Sequence, residues 1–243
     1  MNSGDTTVMQ AVPGGRTVAA ERGWAWIAEG WRMFLRAPGL WIGMIVVLIL
    51  IFIALNFVPL VGPFAGIVLQ PVFAAGLMIV CAKIHKGETP EFGDLFAGFQ
   101  QRFGVLAAVG AIYLAGTVAI LVAAALATGV GAFSLASVGT DRPEIGITFL
   151  LGALIVMALM LPLAMAVWFA APLVLFHGQA AIPAMKRSFS GCLRNFMPFL
   201  VYGVIGFVFA ILASIPAMLG WLVLGPVAAA ASVYTSYRDI YLN

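Results

Sequence analysis

Formal charge is scarce in this chain. Only 9% of its 243 residues are Asp, Glu, Lys or Arg, against about 25% in ordinary soluble domains. That shortage excludes a water-soluble globule, because a fold of this length needs a polar skin that so few charges cannot supply. Cysteine is almost missing. There are 2, Cys81 and Cys192, and neither has neighbours at metal-binding spacing, which excludes zinc and c-type haem motifs. Both fall near the predicted cytoplasmic face, where thiols stay reduced, so no disulfide is expected. The 2 histidines, His85 and His177, sit on separate loops and read as interfacial anchors rather than metal ligands. No G-x-x-x-x-G-K-[ST] or G-x-G-x-x-G string occurs, and Ser134, Ser137, Ser188 and Ser190 lack a G-x-S-x-G setting. No catalytic residue, metal or cofactor is expected. The net charge of +3 does not point to nucleic acid, because the basic residues sort by side of a membrane.

What the chain has instead is hydrophobicity. Its residues are 63% apolar, and its mean hydropathy is +1.11. A bilayer core about 30 Å thick is crossed by a helix of roughly 20 apolar residues. Six such runs are present, at about 39–58, 62–82, 104–127, 146–176, 198–216 and 219–237. They are continuously apolar, which argues against a barrel's alternation, and helices alone satisfy their own backbone in lipid. The expected fold is therefore all-α, a polytopic transmembrane bundle of six spans. Pro59-Leu60-Val61-Gly62-Pro63 and Pro216-Ala217-Met218-Leu219-Gly220 are tight, breaker-rich joints that predict two hairpins. The fourth run would be about 46 Å long as a straight helix. With Pro162 in its middle and Pro172 near its end, it should kink or tilt strongly.

Orientation follows from the cations. With the N-terminus inside, Arg16, Arg22, Arg32, Arg36, Lys83, Lys86, Arg102, Lys186, Arg187, Arg194 and Arg238 are all cytoplasmic, and only Arg142 is outside. Both termini are then expected in the cytoplasm. Residues 1–22 read as a disordered cytoplasmic tail, and 23–243 as a single membrane domain. The first apolar run lacks a cleavage site and reads as an uncleaved span.

Three cytoplasmic segments share a pattern. Residues 23–37 place Trp24, Ile27, Trp31, Phe34 and Leu35 at helical spacing, opposite Arg22, Glu29, Arg32 and Arg36. Residues 90–103 do so with Phe92, Leu95, Phe96, Phe99 and Phe103, with Thr89-Pro90 as cap and first residue. Residues 182–196 do so with Ile182, Met185, Phe189, Cys192 and Phe196. Each is too short to span and reads as an interfacial amphipathic helix. The candidate residues for contact with the headgroup layer or a partner are Trp24, Trp31, Phe92, Phe96, Phe99 and Phe189. Each segment precedes a pair of spans, so the chain is either a threefold repeat or a protein that reuses Pro and Gly at span ends.

With these boundaries no ionisable side chain lies deep in any span. Proton relays and ion-coupled pumps usually need one, so that class is disfavoured. Glu88, Glu91 and Asp94 share a short loop and read as a solvated face. The polar residues of interest at depth are Asn56 and Gln70. Gln70 precedes Pro71, which leaves the Ile67 carbonyl without its helical donor. Either Gln70 contacts a substrate at a broken helix, or it makes an interhelical hydrogen bond. Gly39-x-x-x-Gly43 and Gly62-x-x-x-Gly66 would allow close helix approach. The tryptophans mostly read as belt residues.

The strings GWAWIAEGWRMFLRAPGLW (23–41), PEFGDLFAGF (90–99), CLRNFMPFLVYG (192–203) and SYRDIY (236–241) resemble an uncharacterised proteobacterial family of six-span inner-membrane proteins, over roughly Gly23 to Tyr241. The layout more distantly resembles membrane domains attached to some glycerophosphodiester phosphodiesterases. The resemblance implies the inner membrane and a helical fold, and brings no catalytic residues with it. The expected role is non-enzymatic: an accessory, scaffold or assembly protein, with the lipid bilayer and another membrane complex as partners. The alternative is a transporter or channel for a neutral or lipid-like solute, and an enzyme of lipid metabolism is the weakest reading.

Overall fold

The computed structural model describes residues 15–59, 61–128, 143–215 and 218–242. Among them every regular element is helical. In chain order these are α1 (Arg22–Arg36), α2 (Pro38–Asn56), α3 (Val61–Lys86), a 3-10 turn (Phe92–Phe96), α4 (Ala97–Gln101), α5 (Phe103–Thr128), α6 (Pro143–Trp168), α7 (Ala170–His177), α8 (Ala181–Arg194), α9 (Phe196–Ser214), α10 (Trp221–Pro226), a π turn (Val227–Ala231) and α11 (Ser232–Tyr241). Among the described residues, five stretches are long and apolar enough to cross a membrane: Pro38–Asn56, Val61–Lys86, Phe103–Ala127, Leu150–His177 and Phe196–Ser214.

The sixth expected run, 219–237, differs from the rest. It is divided into α10, the π turn and α11, and its second half is sunk in the protein. Ser232, Tyr234, Thr235, Ser236, Tyr237 and Tyr241 are all buried. The fourth run is broken at Phe169 rather than at Pro162, which α6 accommodates in its interior. Two causes meet at the break. Pro172 offers no N–H to the Trp168 carbonyl and its ring crowds it. The Ser188 hydroxyl from α8 also enters the helical ladder, accepting from Phe169 N at 2.8 Å and donating to the Met165 carbonyl at 2.7 Å. Those two backbone groups would otherwise bond each other, and such an insertion is a known cause of kinks.

The amphipathic segments depart from expectation in different ways. α1 and α8 are single helices. The segment 90–103 is not one helix: it is a 3-10 turn, then α4, then the start of α5. Its cap is Glu91 rather than Thr89-Pro90, with a reciprocal box in which Glu91 N donates to Asp94 Oδ2 at 2.7 Å. In α1 the buried face is Gly23, Trp26, Ile27, Gly30, Met33 and Phe34, while Trp24, Trp31 and Leu35 point outward. The expected tail contributes residues 15–21 to the packed body. Arg16 N donates to the Ile240 carbonyl at 2.8 Å, and Val18 N to Asn195 Oδ1 at 2.8 Å. Residues 1–14 of that tail, and most of the loop expected at 128–145, lie outside the described residues.

Close backbone approach sets the bundle. A Cβ on Gly62 would lie 1.7 Å from the Leu55 carbonyl, and Gly66 faces the Phe52 ring, so this pair seats the α2–α3 hairpin. Gly39 meets nothing and Gly43 only Phe92. α3 is the hub. Gly76 admits the Leu95 carbonyl, Gly98 of α4 the Val72 carbonyl, and Gly110 of α5 the Val68 carbonyl, each within 2.4 Å of where a Cβ would stand. The core gathers α3, α7, α8, α11 and the inner face of α1 around Trp26, Trp41, Phe169, Tyr237 and Tyr241. Trp26 and Trp41 are wholly buried, so they are not belt residues.

Candidate functional site

Three interruptions of helical hydrogen bonding converge on one cavity. The first is Pro71, which α3 carries in its interior without breaking. The second is the α6–α7 break. The third is the π turn that follows Pro226. A π turn displaces the usual carbonyl–amide pairing, and the Tyr202 hydroxyl answers by donating to the Ala228 carbonyl at 3.1 Å. Gln70 and Pro71, Trp168 and Pro172, and Ala228 and Ala229 line a cavity of about 280 Å³, with Tyr113 of α5 contributing a further wall.

The cavity is largely apolar with a few uncharged polar groups, the usual make-up of a small-molecule site. No charged side chain lines it. Gln70 and Ala229 are exposed at its mouth, so it opens sideways from the bundle. Among the described residues no hydrogen bond holds the Gln70 amide or the Tyr113 hydroxyl. The Trp168 indole N–H is buried without a partner, its ring standing edge-on to Phe199 and Tyr202 at 5.8 and 6.0 Å. Buried donors are normally satisfied.

A second polar cluster has a different character. Asp239 accepts from Arg22 Nε at 2.5 Å and from Trp26 Nε1 at 2.8 Å, and Arg16 reaches its carboxylate at 3.9 Å. The hydrogen bond to Asp239 is the main reason the Arg22 guanidinium is held above its ordinary pKa. Asn195 is buried with both ends of its amide used, bonding Arg16 O, Gly191 O and Val18 N. His177 meets the Tyr237 hydroxyl at 2.5 Å, His85 meets Arg238 at 3.0 Å, and the Tyr241 hydroxyl donates to the Arg187 carbonyl at 2.8 Å. Lys83 pairs with Asp94 at 2.7 Å, so Asp94 is a structural partner and not part of a solvated face. Apart from the Lys83–Asp94 pair and Asn195, these contacts tie Arg16, α1, α3, α7 and α8 onto α11.

The residues singled out from sequence are thus dispersed. Gln70 lines the cavity. Asn56 stands exposed in the last turn of α2, donating to its own Phe52 carbonyl at 2.7 Å, and is not among the cavity's walls. Trp24 and Trp31 border a separate apolar groove. Phe96 and Phe99 pack on Phe73 at 6.1 and 5.1 Å, Phe92 is exposed, and Phe189 is half-buried. Sequence reasoning assigns no structural role to Ser188, Asn195 or Asp239, and reads Trp168 with the belt residues. Only Asp239 left a visible signal, as the lone acid of SYRDIY.

Over 207 residues, 80% of this chain, the sequence is 28% identical to a probable inner membrane protein of Burkholderia thailandensis, covering 75% of that protein. No family model matches the chain, and no solved structure matches it. The family resemblance read from the four strings therefore reaches a distant inner-membrane relative, and the likeness to glycerophosphodiester phosphodiesterase domains gains no support. With five membrane-length apolar helices, the chain is a multi-pass inner-membrane protein.

Proposed function

We propose that this is a non-enzymatic inner-membrane protein that binds a neutral, lipid-soluble amphiphile in the cavity beside Gln70. The observation that carries the reading is the cavity's lining. Three helix interruptions meet there, uncharged donors and acceptors face apolar walls, and the opening is lateral. An aqueous substrate would not approach from that side, and a charged one would find no counter-charge. The test is to purify the full chain in mild detergent and identify the neutral lipids that travel with it, in wild type and in Gln70→Leu. Selective loss of one neutral species in the variant supports the reading. An identical lipid complement in two equally folded proteins sinks it.

The same proposal includes six crossings with both termini cytoplasmic, α10, the π turn and α11 together forming the last crossing. Support comes from the eleven basic residues on one side. A fluorescent protein fused after Leu242 should light up, and alkaline phosphatase at the same point should stay silent; the reverse pattern would remove the sixth crossing. The accessory or scaffold role is the second reading, favoured by the outward Trp24, Trp31 and Leu35 of α1 and the outward Phe92 and Phe99. A protein recovered at fixed stoichiometry would move the assignment there.

A further inference from the structure

A cavity larger than the one beside Gln70 lies elsewhere in the fold. It is a groove of about 590 Å³ between α1, α9 and α10, within the size range of pockets that enclose a ligand. Its walls are apolar. Trp24 and Trp31 stand on the α1 side, Phe209 and Leu212 on α9, and Val223 and Leu224 on α10. Trp24 stacks on Phe209 at 6.4 Å, joining two of the walls. One charged side chain borders the groove: Arg32. Arg32 is exposed, and among the described residues no carboxylate pairs with it, since Glu29 is engaged by Arg22 at 3.0 Å and Asp239 by Arg22 and Arg16.

The geometry points to an anionic phospholipid as the occupant, with an acyl chain in the groove and its phosphate on Arg32. Two features of the site select this chemistry together. The walls need an apolar chain, because water gains nothing in a cavity without polar partners. The rim needs an anion, because a guanidinium free of carboxylates forms its strongest hydrogen bonds with a phosphate or carboxylate. A phospholipid with a net negative charge presents both at the separation between headgroup and tail. α1 is amphipathic and belongs to the face proposed as cytoplasmic, and a basic residue there attracts acidic headgroups. The Gln70 cavity is formed by other residues, so failure at one site does not touch the other.

The tryptophans of the groove report its occupancy. The full chain is reconstituted in phosphatidylcholine vesicles, and a dibrominated phosphatidylglycerol is titrated in. A parallel series uses dibrominated phosphatidylcholine. The signal is the quenching lost in the Trp24→Phe/Trp31→Phe double variant. Half-saturation is expected at an about fivefold lower mole fraction for the anionic lipid. Arg32→Gln should remove that preference, and Ala28→Phe, which fills the groove from α1 but leaves Arg32, should abolish saturable quenching by either lipid. Circular dichroism and melting of both variants check that they remain folded. Identical curves for the two lipids, or an undiminished preference in Arg32→Gln, would overturn the proposal. So would competition by glycerol phosphate, which has the anion and no tail. Crosslinks from Phe209→benzoylphenylalanine to a second polypeptide in cells, in place of lipid, would overturn it in favour of a protein occupant.

Discussion

Helix α9 and the segment 221–241 adjoin in the chain and are built by opposite rules. α9 is apolar along its length, yet only 6% of its most apolar stretch is buried by protein, and Val204, Phe207 and Ile211 project outward. The segment that follows carries serines, a threonine and three tyrosines, and the protein closes over nearly all of them. In water the greasier helix would be inside. In a bilayer, acyl chains solvate apolar side chains as well as protein does, so helices associate through close packing and polar contacts. Of these two neighbours, the more polar one is drawn inward and the greasier one becomes wall.

Substitutions can break that contrast at graded cost. Tyr237→Ala removes a wholly buried ring and its contact with His177, and should cost about 4 kcal/mol, the range for aromatic truncation in a core. The measurement is denaturant unfolding in mixed micelles. Asp239→Ala leaves the Trp26 indole without its acceptor and takes one of two carboxylates from Arg22, which keeps Glu29. About 2 kcal/mol is expected, and Asp239→Asn should recover part of it by still accepting from Trp26. Ser188→Ala should cost only about 1 kcal/mol, because Phe169 N and Met165 O can then bond each other. Its signature is a straighter α6–α7, read as a changed distance between spin labels on the two helices. Phe207→Ala, on the outer face of α9, should shift stability by no more than about 0.5 kcal/mol. If Phe207→Ala proves as costly as Tyr237→Ala, then α9 is covered by protein and the contrast is wrong.

A pH experiment sharpens the same point at the buried side of α8. Burial pushes the Cys192 thiol up to about 12 from an ordinary value of 9.0. The folded protein resists ionising it, so the associated stability is complete below pH 9.0 and is lost as pH rises from there toward 12. Stability of the wild type should therefore fall more steeply than that of Cys192→Ser above pH 9.0. Maleimide labelling at neutral pH should be slow until the protein is unfolded.

Hydropathy and length made the outer helices legible. Residues 38–56, 61–86, 103–128 and 196–214 fall within a few positions of the expected runs, because lipid-facing helices are specified locally by composition. What sequence did not reveal is specified by distant partners. α1 has two apolar faces, and periodicity cannot say which one meets protein and which one lipid. Gly23 and Gly30 held that information, since only the inner face needs room for the Tyr202 and Ser232 backbones. Ser188 reads as one more serine on a polar helix until Met165, 23 positions earlier, is brought beside it. The cavity was half visible. Gln70-Pro71 and the long fourth run were both suspect, but nothing local says that they face one another, or that the π turn joins them.

The serine wedge makes two parts of the molecule mechanically one. Met165 and Phe169 borrow their hydrogen bonds from a hydroxyl that belongs to α8, a short amphipathic helix outside the apolar stretches. Shifting α8 withdraws that hydroxyl and returns the pair to each other. Trp168 lies between them in the chain and forms a wall of the inner chamber. A side chain of α8 thus holds the backbone on either side of that wall, although no residue of α8 lines the chamber itself.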